Sequence, residues 1–570
     1  MDEIPGTTIL GIVQRSLAEL PLTQQHIVYG GAPVGETETL RGHRARLWLR
    51  TKLKKLVHLA LWWIHGCPPE FNPPKPFTVD TLKERCASLG WTCVEAVSFR
   101  EGIVQDFIRS NAAEMLIVLG PDATPLESRL LPAYGMIRVR EAEMECGAAT
   151  PQRAAELVVE HCTINSVTAI ASLPLPSQSN DGPLGFTLKA DLLANDLLVQ
   201  AVTSAAGRNG IPSAADVSLW MQRMVSPYLE QLAPSVRKEY RPEPRAFCRP
   251  FWRLFLETIL LCSPLIVARN WVRRWRGLYP VLIVAHHLVT DRRHRLGIST
   301  EMFWRQVRFL QNHYQIVSLS EAVALLHSGR VKKPAVSLTF DDGYADNFVS
   351  LRAVAEETGI PISLFITTEP VSRRTEFHHD VLNGEHGALP LTWDQIRYWS
   401  RRGAEFGSHT RTHADCGSTD HAKLKDEILG ARSDLEHQLR QSVPYFAFPF
   451  GKRENMSEEA MTLTRSGYRY SLSFCGGENL PGSAENNFHL LRKIAYPEPW
   501  ELELELQSIF DFAGAARRKL VAVWKQSREA VDGHSITTSG HGVKDSVSLS
   551  GNATETPCAV AMNRETSRSR

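Results

Sequence analysis

The 570-residue sequence predicts an α/β fold, on three observations. Short β-branched runs at 281–285, 336–340 and 361–366 alternate with amphipathic stretches at 301–312, 320–326, 344–357 and 393–402, which is the spacing of strand and helix in turn. The chain is also longer than one hydrophobic core usually serves, so two or three domains are expected. Finally, the run Val336-Ser337-Leu338-Thr339-Phe340 ends in Asp341-Asp342-Gly343. That places two adjacent carboxylates where a buried strand meets the rim of its sheet, the end where α/β folds keep their chemistry.

Successive side chains of a strand diverge, so Asp341 and Asp342 are suited to different tasks, one to a proton and the other to a metal. A second cluster follows at Gly407-Ser408-His409-Thr410-Arg411-Thr412-His413. Histidines four apart converge on a helix face or in a tight loop. With one carboxylate they form a two-nitrogen, one-oxygen set that leaves positions open for water and substrate. A lone His-x-x-x-His is weak, but its pairing with a strand-end Asp-Asp-Gly is specific.

Thr339-Phe340-Asp341-Asp342-Gly343 and Ser408-His409-Thr410-Arg411-Thr412-His413 resemble the first two signature motifs of the polysaccharide deacetylase family, carbohydrate esterase family 4, over roughly Tyr279 to Phe512. The resemblance implies a distorted (β/α) barrel and removal of N-acetyl groups from a saccharide. Asp341 would be the general base, and Asp342, His409 and His413 the ligands of zinc, with cobalt, nickel or manganese as alternatives. Tyr445-Phe446-Ala447-Phe448-Pro449-Phe450-Gly451 is similar to the third motif, in which the residue after proline donates its backbone N–H to an oxyanion, here Phe450. Phe448 stands where that motif carries arginine, and Arg492 is available to supply the charge.

The strand Tyr279-Pro280-Val281-Leu282-Ile283-Val284-Ala285 delivers His286 and His287. In family branches acting on biofilm polysaccharides, a histidine after the first strand is the general acid. His286 fits that position, with His287 as runner-up because only one of two consecutive side chains can enter the site. The loop from Thr367 to Leu391 holds His378, His379, Asp380 and His386; it reads as a solvated substrate loop, with a second metal site as the alternative. Two rival functions remain: hydrolysis of another linear amide or an O-acyl ester, and an inactive carbohydrate-binding scaffold.

Residues 1–225 form a unit of their own, with strands expected near Thr8 to Val13, Gln25 to Gly31, Trp91 to Val94 and Met115 to Leu119. Their alternation with helix suggests a Rossmann-like layer, and no G-x-G-x-x-G loop recruits a dinucleotide. Leu130-Leu131-Pro132-Ala133-Tyr134-Gly135 is similar to a loop of the folate-dependent formyltransferase family. Pro125 and Glu127 replace that family's Asn and His, and Asn165 falls near its Asp, so formyl transfer is not expected.

The remaining divisions are 226–278, a Pro- and Arg-rich linker with an apolar helix; 279–512, the deacetylase-like domain; and 513–570, a basic helix and a Ser/Thr/Gly-rich tail too poor in large apolar residues to fold. A net charge of +2 gives no whole-chain argument for nucleic acid, and none is expected as a partner. The ten cysteines are scattered without C-x-x-C pairs and read as buried thiols. Met1-Asp2-Glu3-Ile4-Pro5 does not open a signal peptide, so a cytoplasmic location is expected. Leu254 to Ala268 falls short of the ~20 residues a span requires. Arg46 to Trp63 mixes basic and apolar residues and reads as a core helix with a cationic outer face or as a peripheral membrane contact; Arg269 to Arg276 reads as a contact to anionic lipid or saccharide phosphate or as a solvated helix face.

Overall fold

The computed structural model describes residues 154–176, 182–232 and 251–509 almost continuously, with breaks at 209 and 484–487. Shorter pieces are described at 11–15, 92–96, 115–118 and 131–143, without 132, and a few residues within 52–57 and 106–110. The expected strand at Gln25 to Gly31, the positions Pro125 and Glu127, most of the helix at Arg46 to Trp63, and residues 513–570 lie outside the described residues.

The C-terminal part is a nearly closed barrel of parallel strands: β1 (Val281–His286), β2 (Ala335–Phe340), β3 (Ser363–Ile366), β4 (Glu405–Ser408), β5 (Tyr445–Ala447), β6 (Tyr470–Ser473), β7 (His489–Leu491) and β8 (Lys493–Ile494). Their order is β7-β6-β5-β4-β3-β2-β1-β8, and Gln315–Ile316 adds a short ninth strand beside β2. Every residue of β1 and β2 is buried, as parallel strands covered on both faces require. Val281, Ile283, Phe365, Ala447, Leu472 and Leu490 fill the barrel. Leu282, Val284, Val336, Leu338, Phe340 and Leu364 meet the surrounding helices. Those helices begin at side-chain caps, including Ser318 with Glu321 and Thr392 with Gln395, which satisfy otherwise orphaned N–H groups.

The ring closes at a single residue. β7 pairs with β6 and β8 pairs with β1, and only Arg492 separates them. Asn479 plugs the gap, donating to Leu491 O at 2.8 Å and Val281 O at 3.2 Å and accepting from Leu491 N at 2.8 Å.

In the N-terminal part, strands Leu116–Val118, Met136–Glu143, Ala154–Cys162 and Val167–Pro176 form one sheet in that order. Its first pair is parallel and the other two are antiparallel. The expected strands do pair in parallel, Gly11–Arg15 with Thr92–Ala96 and Leu116–Val118 with its neighbour; the sheet turns mixed at the strands beyond these, where a tight connection such as Thr163 to Ser166 can only reverse the chain. Pro183–Ala206 packs along this sheet and also against the barrel. Its Asp196 pairs with Arg352, which is wholly buried and lies over the rings of Phe348 at 4.3 Å and Tyr398 at 5.1 Å. Its Lys189 reaches Asp291 at 2.6 Å. Packing of this unit continues through Gln231 and Leu232, both buried, into the stretch assigned by sequence to the linker.

Candidate active site

Alternation along β2 directs Ser337, Thr339 and then Asp341 inward. There the Asp341 carboxylate accepts a hydrogen bond from Arg492 Nη1 at 2.6 Å, with both side chains buried. Burial pushes this acid up, but the Arg492 guanidinium, followed by His409 and His287, more than offsets it and holds Asp341 below the usual carboxylate range. Asp341 is thus an ionised acceptor. Arg492 Nε and Nη2 find no hydrogen-bond partner among the described residues, and its guanidinium lies over Phe474 at 4.5 Å. Phe448 is fully buried, so the charge absent at that position reaches Asp341 from the barrel seam.

Asp342 leaves the strand with φ 69°, and Gly343 follows at φ 91°. This left-handed turn, costly for any residue but glycine, lets the second acid face the rim as well. His409 Nε2 lies 3.6 Å and His413 Nε2 3.4 Å from Asp342 Oδ1. His409 Nδ1–H donates to Ala447 O at 2.8 Å, which leaves the Nε2 lone pair facing Asp342. The histidines sit on a loop rather than a helix, with Thr410 at φ 64° and His413 at φ 63°. A π-helical widening at Asp426–Gly430 supplies Glu427, which clamps that loop by accepting from Arg411 N at 3.0 Å and Thr412 N at 2.9 Å.

The fit to a cation can be judged from these groups alone. Both oxygens of Asp342 are buried without a hydrogen-bond partner among the described residues, as is His413 Nδ1. Burial, together with Asp341 and Asp380, pushes Asp342 well above the carboxylate range. Burial likewise depresses His409, and His413 further. Burial disfavours both the ionised carboxylate and the protonated imidazoles, and a bound cation would stabilise the carboxylate while needing the imidazoles neutral. Asp342, His409 and His413 fit a divalent ion.

The expectation for His286 is corrected. Val281 and Ile283 point into the barrel, so His286, of opposite parity, points out of it. It packs edge-on to Phe303 at 5.3 Å and stacks on Phe340 at 5.2 Å, with Nε2 3.1 Å from Gln306 Oε1. Burial depresses His287, the residue just after β1, to about 3, and Asp341, His409, Arg492 and His379 all act on it, whereas of these only Asp341 acts on His286. His287 is the one of the two histidines that lies among the site's charged groups.

The expectation of a solvated loop is corrected too. His379 and Asp380 are buried, because Tyr344 OH donates to Asp380 Oδ2 at 2.8 Å and lies 3.0 Å from His379 Nε2. His379 Nε2 is 3.7 Å from Asp342 Oδ2, and its ring centroid is 4.2 Å from that of His413. A third imidazole therefore lines the site. The tyrosine after Asp-Asp-Gly is the one sequence signal that could have found it. His294, Asp380 and Glu385 form a second cluster, into which Arg295 inserts at 3.2 Å from Asp380 Oδ1 and 3.1 Å from Glu385 Oε2.

Phe450 is held at φ 61°, is 46% exposed, and sets its ring edge-on to His413 with centroids 4.9 Å apart. Cys416 is buried, its thiol pushed up to about 12 by burial, and it stands outside the ligand set. Asn165 lies at the tip of the hairpin joining the last two strands of the N-terminal sheet, away from any such cluster.

The family model described as polysaccharide deacetylase matches residues 328–470. A putative polysaccharide deacetylase, YxkH, of Bacillus subtilis (strain 168) is 22% identical over 195 residues, 34% of this chain and 63% of that protein. A gellan lyase of Bacillus sp. is 28% identical over 179 residues, 31% of this chain and 6% of that protein. The chain thus spans less than two thirds of the length of either relative. Among solved structures, IcaB from Ammonifex degensii is 20% identical, covering 40% of this chain and 97% of that one, with a TM-score of 0.35. The Streptococcus pyogenes deacetylase PplD in complex with acetate is 19% identical, covering 40% and 98%, with a TM-score of 0.34. The family-model match and the Asp341, Asp342, His409 and His413 constellation fall on the same stretch of barrel, and the C-terminal part of this chain is a polysaccharide deacetylase domain.

Proposed function

We propose that the chain hydrolyses N-acetyl groups on a saccharide, with a divalent metal ion held by Asp342, His409 and His413. The observation that carries this is a buried carboxylate whose two oxygens have no hydrogen-bond partner among the described residues, faced by imidazoles on one side and by an arginine-held acid on the other. A bound ion, zinc or else cobalt, nickel or manganese, supplies Lewis-acid polarisation of the acetyl carbonyl and acidifies water. Asp341, kept ionised by Arg492, accepts the proton of the attacking water. The N–H of Phe450 donates to the oxyanion that develops on the former carbonyl oxygen. His287, neutral at rest, relays a proton from Asp341 to the departing nitrogen as the C–N bond breaks, leaving acetate and an amine. The N-terminal unit is a formyltransferase-like scaffold that lacks that family's catalytic groups.

The test is acetate release from a panel of N-acetylated oligosaccharides by metal-reconstituted protein, with Asp341→Asn as control. Release from at least one saccharide, absent in the variant, is the expected result. Turnover confined to small amides or O-acetyl esters would replace the saccharide reading. No turnover on any of them would leave the scaffold.

A further inference from the structure

Eight of the eighteen large apolar side chains exposed among the described residues fall within 255–278. Seven of them lie on two consecutive helices, Phe251–Leu261 and Pro264–Arg276, which bend by 51° at the break between them, and Leu278 follows just after. One face of this bent pair is anchored. Leu254, Leu261, Ile266 and Asn270 are buried, Asn270 donates to Gln507 Oε1 at 2.9 Å, and Arg273 pairs with Glu478. The other face carries Leu256, Ile259, Leu265, Trp271 and Trp275, each at least half exposed.

Charge on this bent pair has one sign. Arg253, Arg269, Arg273, Arg274 and Arg276 lie within 251–278 against one acid, Glu257, and that acid is buried. Arg274 and Arg276 flank the exposed tryptophans. A second basic, apolar segment arrives at the same place from far away in sequence: Cys262 Sγ lies 3.6 Å from Leu56 O. There Val57 is buried in the core while Lys55 and Leu56 are exposed.

We infer that this bent pair of helices, with the helical residues 55–57, is a docking surface for an anionic lipid bilayer, lying in the plane of the headgroups. Tryptophan beside arginine suits that interface, where an indole ring sits between acyl chains and water and a guanidinium meets lipid phosphate. Neither helix alone is long and apolar enough to cross a membrane; the two would be only as a pair, and that pair is bent by 51° and held to the barrel through Asn270 and Arg273. A second copy of the patch is a poor occupant, because it would set arginines against arginines.

The experiment is co-sedimentation of the full chain with vesicles of phosphatidylcholine alone or with one quarter phosphatidylglycerol. Binding is expected only to the anionic vesicles and should be lost at high salt. Trp271→Ala with Trp275→Ala, and separately Arg274→Gln with Arg276→Gln, should each weaken it at least tenfold while thermal unfolding stays unchanged. The arginine pair keeps the test decisive if the tryptophan variant folds poorly. Absence of binding to anionic vesicles, variants that bind as well as the parent, or a concentration-dependent dimer that the variants abolish would each overturn the inference. So would retention in the membrane through alkaline extraction, which requires an inserted helix.

Discussion

Two clusters of histidine and carboxylate lie side by side on this barrel and solve the same electrostatic problem differently. In one, Arg295 reaches both acids, Asp380 and Glu385, beside His294. In the other, Asp342 is ringed by His409, His413 and His379, and among the described residues no lysine or arginine pairs with it, Arg295 acting on it only at longer range. Even its neighbour Asp341 has Arg492 to itself. The difference shows where an ion belongs: a buried carboxylate supplied with an arginine is finished, whereas one left with neutral imidazoles awaits a charge from outside the chain.

The largest expected effect is that of Asp342→Asn. Metal analysis should show about one zinc per parent chain and none in the variant, with acetate release down by roughly a thousandfold or more, since Lewis-acid stabilisation contributes several kcal/mol. Two ions per parent chain would break the contrast between the clusters. Next comes Arg492→Met, which should lower kcat by about a hundredfold, the scale of a general-base contribution, while leaving metal content intact. Without the guanidinium the Asp341 pKa rises, so the acid limb of the kcat/KM profile should move to higher pH. An unmoved limb would mean that another group is the base.

Arg295→Met sharpens the comparison from the opposite side. It should cost about 2 kcal/mol of stability, less than the full penalty for breaking a buried pair because Arg295 is 28% exposed. It should also leave Asp380 and Glu385 able to take a second zinc ion, which metal titration would count. The smallest effect concerns pH. Burial pushes Asp380 up, but His294, His379 and Tyr344 overcome it and hold the acid at about 2, against 3.8 ordinarily. A depressed carboxylate stabilises the fold fully above its unfolded value, and that contribution is lost as pH falls from about 4 toward 2. Urea unfolding of metal-free protein across that window should show stability falling, and Asp380→Asn should flatten the slope.

Sequence legibility followed the length scale of the information. Asp341 with Asp342, and His409 with His413, are contiguous pairs that read as chemistry on sight, and the structure brings them together. The choice between His286 and His287 was not legible, because every residue of β1 is buried and the apolar pattern cannot say which parity faces the barrel interior. His379 was missed because its burial depends on a hydroxyl 35 residues away, on Tyr344. Arg492 was half legible: the phenylalanine at 448 announced that a charge was missing without saying where the replacement would come from. In the N-terminal part, strand positions near 92–96 and 115–118 were readable, but antiparallel pairing was not, since propensity carries no direction.

The joint at which the barrel closes has a further consequence. Arg492 follows Asp341 by 151 residues, so a growing polypeptide acquires Asp341, Asp342, His409 and His413 well before the guanidinium that is held against Asp341. On the proposed mechanism, hydrolysis would wait until the strands on either side of Arg492 bridge β6 to β1. Completion of the ring and ionisation of the proposed base would then be one event, and a chain cut short before Arg492 should release no acetate.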